Sequence, residues 1–438
     1  VAYRVTEEDR IPAGNGATLR GLVSESELTE RTERRRMGKG RDDPARVGDC
    51  IPLIQSSHNC REKAPQGVGP VLDIGRREVD IDARRGQLSD SLRTVEPESK
   101  LRDRTRYVLG IVEEFDNNHL PYVAACEDLG VRYKTIDISG PDWVQLVRDC
   151  GCDAFLVWPS FKVSIWKRMF DERLKVMVEE MHKIIYPTYN EVWLNESKLR
   201  MSYWLEARRI PHCRTHVFYS REGALEFARG ANLPLVAKCD AGSRNAGVEI
   251  LSSRSAVVRY VERRFGEGMA YRGADVRDRE WGSVLFQEYL PGVAEWRMIR
   301  IGESYFGHQK LRDGEFHSGS GKVGWYDPPR KLLDFVRELT DNAGYTAMNV
   351  DIFETPYRRY VVNEVQSHCA AYVESQMYIA GKPGRYRYDY ADREWRFEEG
   401  VFCRNSCCDL RVEALLDLLD RTASQSPVGV ERLLLPNG

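Results

Sequence analysis

The chain reads as an α/β layer with a parallel sheet, followed by an α+β region. Three observations lead there. Short apolar strands alternate with helices from about residue 105 to 190, the pattern of a parallel sheet with helical crossovers. From about residue 283 to 380 strands outnumber helices, which suggests an antiparallel or mixed sheet. The 438 residues are 42% hydrophobic and 30% charged, enough apolar material for two or three domains.

The elements follow in order. Residues 1–104 are charge-dense, with stretches such as TERTERRRMGKGRDDPAR and no sustained period of 2 or 3.6. Such a segment buries too little apolar surface to offset its ordering entropy, so it is expected to be disordered or weakly folded. YVLGIVEE then reads as a buried strand. HLPYVAACEDLG reads as a helix with Leu120, Val123, Ala124 and Leu129 apolar before a glycine stop. Strand YKTIDI, helix PDWVQLVRDCG, strand AFLVWPS, a helix over 161–183 and strand IIYP complete the 105–190 block. A second block, 191–282, holds helix ESKLRMSYWLEARRI, strand CRTHVFYS, helix REGALEFARGA, strand PLVAKC, a glycine loop, strand GVEILS and helix SAVVRYVERRFG. A third, 283–380, holds SVLFQEYL, EWRMIRIG, SYFGHQKLR, helix KLLDFVRELTDNAG and the strands MNVDIFE and RYVVNEVQ. Residues 381–438 read as a polar, aromatic tail carrying one helix at about 409–422.

Composition excludes some functions. A formal charge of −2 argues against a general nucleic-acid binder. No apolar run approaches the ~20 residues of a membrane span. The start, VAYRVTEEDRIPAG, has no apolar h-region, so no secretory signal is expected. The 11 cysteines are odd in number and scattered, typical of reduced thiols. A cytoplasmic location is the expectation. Cys403, Cys407 and Cys408 lack paired ligands at zinc spacing and read as structural.

Two segments carry the chemistry. In PLVAKCDAGSRNAGVEIL, Lys238 ends an apolar strand, where a lysine is costly without an anion. The run from Asp240 to Gly247 is rich in small residues that let backbone N–H groups turn inward on phosphate oxygens. It lacks the GK[ST] ending of a Walker loop, and a strand follows it. Taken alone, this loop reads as an ordinary β-turn. In MNVDIFETPYRRYVVNEVQSH, Asp351 and Glu364 are flanked by β-branched residues on strands expected to be interior. Buried carboxylates need partners, and Mg2+ is a natural one. Gln366, two residues after Glu364, shares its face and offers an amide oxygen. Either carboxylate alone reads as a solvent-facing edge group. Between these segments, LFQEYLPG passes from strand to connector and offers backbone groups to a purine edge.

The order Lys198, Lys238, glycine loop, Gln287–Leu290 connector, Glu295, Asp351, Glu364 resembles the ATP-grasp superfamily over about residues 105–375. The block before it resembles the pre-ATP-grasp domain. GHQKLRDGEFHSGSG is similar to the corresponding loop of RimK-like carboxylate–amine ligases and of ligase-like proteins of biosynthetic clusters. The resemblance implies ATP between two α+β subdomains, 191–282 as the lid and 283–380 as the C-terminal half. Lys198 and Lys238 would contact the α- and β-phosphates, and Gly242, Ser243 and Gly247 would close over the triphosphate. Gln287, Glu288 and Leu290 would meet adenine, and Glu295 the ribose. Asp351, Glu364 and Gln366 would hold one or two Mg2+ ions, with Mn2+ as a substitute. Arg297, Lys310, Arg312 and Lys322 would stabilise an acylphosphate and the tetrahedral intermediate, or anchor a substrate carboxylate.

The chain departs from the pattern at Gln366, where asparagine is usual, and at Lys310 and His317, where RimK-like ligases carry arginines. Lysine is a point charge instead of a bidentate fork. His317 reads equally as a plain loop histidine. The implied activity is an amide-forming, ADP-producing ligase on small-molecule, peptide or glycan-linked acids, with a small-molecule amine as second substrate. A homodimer is compatible with it. A phosphotransferase on the same scaffold and a nucleotide binder without catalysis are the alternatives.

Overall fold

A computed structural model describes residues 104–242, 246–270, 275–314, 317, 321–368 and 375–425. The segment expected to be weakly folded, 1–104, lies outside these residues except for its last one. Ser243 lies outside them as well.

The first layer runs β1 (Val108–Val112), α1 (Leu120–Leu129), β2 (Arg132–Ile136), α2 (Trp143–Asp149), β3 (Ala154–Leu156), α3 (Ser164–Glu179) and β4 (Ile185–Tyr186). Its strands pair in parallel in the order β2-β1-β3-β4. α1 ends where Gly130 takes φ +66°, a conformation glycine adopts without cost. Both sheet faces are buried. Val112, Phe155, Phe170, Leu174 and Met177 form one core with α2 and α3. Leu109, Ile111, Leu156 and α1 form the other.

Next come α4 (Tyr189–Leu194), α5 (Lys198–Ala207), β5 (Thr215–Phe218), α6 (Arg221–Gly230), β6 (Leu235–Lys238), β7 (Val248–Leu251), α7 (Arg254–Phe265) and β8 (Val284–Glu288). These strands make an antiparallel sheet, β5-β8-β6-β7, with α6 and α7 packed on it through Ala224, Ala228, Val257 and Tyr260. The short helix α4 was not expected from the sequence. It is set by a capping box between Thr188 and Glu191. The other Glu191 oxygen accepts from the N–H groups of Thr346 and Ala347 at 2.8 and 2.7 Å, which ties α4 to the largest sheet.

That sheet collects β9 (Ala294–Ile301), β10 (Ser304–Lys310), β11 (Val323–Gly324), β12 (Ala347–Glu354), β13 (Tyr360–Gln366), β14 (Tyr378–Ile379), β15 (Lys382–Asp389) and β16 (Glu394–Glu399), with α8 (Arg330–Ala343) preceding β12. The order is β13-β12-β9-β10-β15-β14, with β11 on β10 and β16 on β15, all antiparallel. α8 buries Leu332, Leu333, Val336 and Leu339 against it. Among the described residues no helix is long and apolar enough to cross a membrane.

The expected separate tail, 381–438, needs correction over its described residues, 381–425. β15 and β16 extend the large sheet, because RYRYDY and EWRFEE alternate aromatic and polar residues with the period of a strand. α9 (Cys408–Gln425) then returns to the first layer and packs Val412, Leu415, Leu416 and Leu419 against α1 and the parallel sheet. One helical face of that layer therefore comes from the far end of the chain. Leu415 is 0% exposed in this core. Leu415→Ala should lower stability by about 2–5 kcal/mol in chemical denaturation. A loss no larger than that of the exposed substitution Ser424→Ala would show that α9 is not part of the core.

Candidate functional site

Four strands of the large sheet carry one row of directly paired residues. His308 on β10 faces Arg297 on β9, Arg297 faces Asp351 on β12, and Asp351 faces Glu364 on β13. Directly opposed residues of antiparallel strands point to the same side. Trp296, Met298, Val350 and Ile352 alternate with them and lie in the core with α8. The row spans three strand spacings, about 14 Å.

Its centre is a buried ion cluster. Arg297 grips both oxygens of Asp351 at 2.9 Å each, and Lys310 Nζ reaches Asp351 at 2.9 Å and Glu295 at 2.6 Å. Burial alone would raise the Asp351 carboxyl, but Arg297 and Lys310 outweigh it and hold the group well below the usual carboxylate range. Burial raises Glu295, with the Lys310 charge opposing. Lys310 is raised although burial works against it, because Asp351 and Glu295 both face it.

The other end of the row meets two lysines from separate elements. Lys198 opens α5, and its Nζ lies 3.4 Å from Glu364 and donates to the Gly242 carbonyl at 2.8 Å. Lys238 ends β6, and its Nζ donates to Asn363 Oδ1 at 3.0 Å. Asn363 reaches this face because the β12/β13 register shifts at Asp351/Ile352, leaving Asn363 as a bulged residue. Its Nδ2 points to Glu295 at 3.4 Å. Burial depresses Lys238. Lys198 is raised despite burial, chiefly by Glu364 and Glu196, and Glu364 is lowered by Lys198 against its own burial. A narrow cavity beside these lysines is lined by Lys198, Met201, His212, Lys238, Gln287 and Val362.

Most residues singled out from sequence converge here, and several differ from expectation. Gln366, expected to offer its amide oxygen to a metal, uses that oxygen to accept from the Glu196 N–H at 2.9 Å and turns its amide nitrogen to Glu364 at 3.0 Å. The Glu196 backbone, at φ +52°, directs its N–H inward, where it needs an acceptor. Glu295, expected at ribose hydroxyls, is 2% exposed and turned onto Lys310, its register partner, with His317 at 3.7 Å. Glu288 accepts from the Arg214 N–H at 2.8 Å and is held toward β5. Gln287 lies in the cavity wall, and Leu290 is half-buried just past β8. Arg312 is exposed, and Lys322, 46% exposed, pairs with Asp313 at 3.1 Å. Neither is placed in the ion cluster. Gly247 accepts from the Cys239 N–H at 2.8 Å at the base of the hairpin. Gly242, at φ +118°, holds a conformation that other residues rarely take.

Sequence reasoning missed His308, Asn363, Asp240 and Glu280. His308 is 5% exposed, and its Nδ1 lies 2.9 Å from the Gln376 carbonyl. Its only sequence signal was alternation with Lys310 in GHQK.

Among the described residues no group of three His, Cys, Asp or Glu side chains is placed to hold a metal. Mg2+ at a nucleotide asks less of a protein: one or two carboxylates, with water and phosphate completing the shell. Asp351 and Glu364 stand opposed across β12 and β13, with both Asp351 oxygens engaged by Arg297 and Lys310.

This chain is similar to solved ATP-grasp proteins. A RimK-domain ATP-grasp protein of Sphaerobacter thermophilus aligns at 15% identity and TM-score 0.42, over 59% of this chain and 90% of that one. The biotin carboxylase domain of Hydrogenobacter thermophilus 2-oxoglutarate carboxylase, solved with MgADP and bicarbonate, aligns at 14% and 0.45, over 61% of this chain and 65% of that one. The ATP-grasp ligase PsnB, solved with minimal precursor, Mg and ADP, aligns at 14% and 0.42, over 62% and 91%. No protein-family model and no curated protein matches the sequence.

His308 also sets a pH dependence. Burial pushes its imidazole from 6.5 down to about 4. Between those values the unfolded chain binds a proton that the folded protein does not. The stabilisation is complete above about pH 6.5 and is lost as the pH falls, by roughly 2 kcal/mol at pH 5. Urea denaturation of His308→Gln at about pH 7 and pH 5 should show a smaller drop than the native chain. An equal drop would remove His308 from the account.

Proposed function

We propose that this protein is an ATP- and Mg2+-dependent carboxylate–amine ligase. The observation that carries the proposal is the meeting of two buried lysines, from α5 and β6, with Glu364 and Asn363 of β13, beside the Asp351 that pairs with Glu364 across the strands. Buried lysines at an apolar strand end and a helix start are expensive unless an anion is to be held there. Their positions suit a polyphosphate lying between the β5–β8 sheet and β13, with the purine near Gln287, Glu288 and Leu290 at the end of β8.

The reaction follows from the layout of charge. Lys198 and Lys238 neutralise the phosphates at one end of the row. Asp351 and Glu364 would hold a Mg2+ ion, which would supply further positive charge beside the phosphates. Arg297 lies farther along the row with Lys310 beside it, and the two offer cations to the carboxylate of the acid. A carboxylate oxygen attacks the γ-phosphorus and ADP leaves. The amine nitrogen then attacks the acyl carbon, phosphate leaves carrying the proton that the amine gives up, and the amide remains. Phosphoryl transfer of this kind needs positioning and charge neutralisation more than a protein nucleophile. The acid is a small-molecule, peptide or glycan-linked carboxylate.

One observation favours a second reading, a nucleotide binder without turnover. Asp351 already has both oxygens engaged by Arg297 and Lys310, so metal binding must displace part of that pairing. The two readings separate in an ADP-release screen over amino acids and sugar acids. The ligase releases ADP only when an acid is present, and Lys238→Ala or Glu364→Gln lowers that rate by about 100-fold or more. Native-rate ADP release in both variants would remove the ligase reading. Tight MgATP binding with no ADP from any acid would select the binder.

A further inference from the structure

Lys198 and Lys238 belong to different elements, so something must set the distance between them. Asp240 does this from one side. Its Oδ1 accepts from Ser197 Oγ at 2.8 Å and from the Leu199 N–H at 2.9 Å, and its carbonyl accepts from the Lys198 N–H at 3.1 Å. Three bonds thus fasten the first turn of α5 to the residue two places after Lys238. A carboxylate at a helix start satisfies unpaired N–H groups and sits in the favourable field of the helix. The backbone end of α5 is therefore already occupied by an anion. What α5 presents toward Glu364 is the Lys198 side chain.

Glu280 holds the same stretch from the other side. Its two oxygens accept from the N–H groups of Asp240 and Ala241, at 2.8 Å each. Successive N–H groups converging on an anion is the way a backbone cradles phosphate, and here the anion is the protein's own. One Glu280 oxygen also takes Arg264 Nη1 at 3.1 Å, and Arg264 is 2% exposed with its Nε on the Ser283 carbonyl at 2.8 Å. The Glu280 backbone pairs with Met269 in both directions. A chain of contacts runs from α7 through Glu280 and Asp240 to α5.

We propose that Asp240 and Glu280 form a clasp that positions Lys198 and Lys238 for the phosphates of a nucleoside polyphosphate. They are positioning residues, and the inference rests on the nucleotide site proposed above. Neither residue itself lines the cavity that Gln287 borders, so the clasp governs phosphate binding and leaves nucleoside binding alone.

The test compares MgADP, by calorimetry, with adenosine, by ligand-observed NMR, on the full chain. Glu280→Gln and Asp240→Ala should weaken MgADP binding roughly tenfold each while leaving adenosine unchanged. Asp240→Asn, which keeps an accepting oxygen, should recover most of the MgADP affinity. Thermal melts confirm that the variants fold, and Glu280→Gln carries the test alone if Asp240→Ala does not. Unchanged MgADP affinity in Glu280→Gln overturns the clasp. Equal losses for MgADP and adenosine overturn it as well, since they mark a general structural defect. A native chain that binds neither ligand removes the nucleotide site and the clasp together. A native chain that binds MgADP, with variants that bind it equally, removes the clasp alone.

Discussion

A carboxylate at 1% exposure is stable only if its charge is matched on the spot, and Asp351 is matched twice, by the Arg297 fork and by Lys310. Removing one partner from such a cluster costs about 3–5 kcal/mol, because the remaining charge stays buried. The cluster ties three strands into one register. A slip of one residue in β9, β10 or β12 would drive Arg297, Lys310 or Asp351 into the core under α8 and bring Met298 or Ile352 to the charged face. Charge matching on one side and apolar packing on the other thus specify the same alignment.

The rest of the site leans on that alignment. β13 is held beside β12, and the bulge at Asn363 turns two polar residues instead of one toward the lysines. Lys238 of β6 reaches Asn363 and Lys198 of α5 reaches Glu364, so the β5–β8 sheet and α5 both meet β13. The clasp at Asp240 and Glu280 works from the opposite side, holding the two lysines to each other. Two sets of charge-assisted bonds, one on the sheet and one on the hairpin, therefore define the space between them.

The parallel-sheet layer is joined by other means. Glu191 reaches from α4 to the start of β12, and α9 closes the α1 side of the parallel sheet with leucines and valine. Apolar burial supplies most of that joint, as is usual where two helices and a sheet share a core. Helix α9 is thus a structural member of the first layer.

Much of this was legible in the residues. The alternation of apolar strands and helices up to Tyr186, the helix before β12 and the β-branched flanks of Asp351 and Glu364 are local patterns, and local patterns survive in a sequence. The order of Lys198, Lys238, Asp351 and Glu364 was legible as a resemblance to the ATP-grasp superfamily. The partners were not. Nothing near Gln366 in sequence says that the Glu196 N–H will claim its oxygen, since the two lie 170 positions apart. Glu295 looked like a hydroxyl-binding residue until its register against Lys310 was known. The C-terminal segment looked like a tail because its aromatic alternation has no meaning without β10 to pair with. Residue type and period determined which elements form and which groups carry charge. Which charge meets which was decided only by strand register and by the docking of distant segments, because burial makes each charged group take the nearest available partner in space.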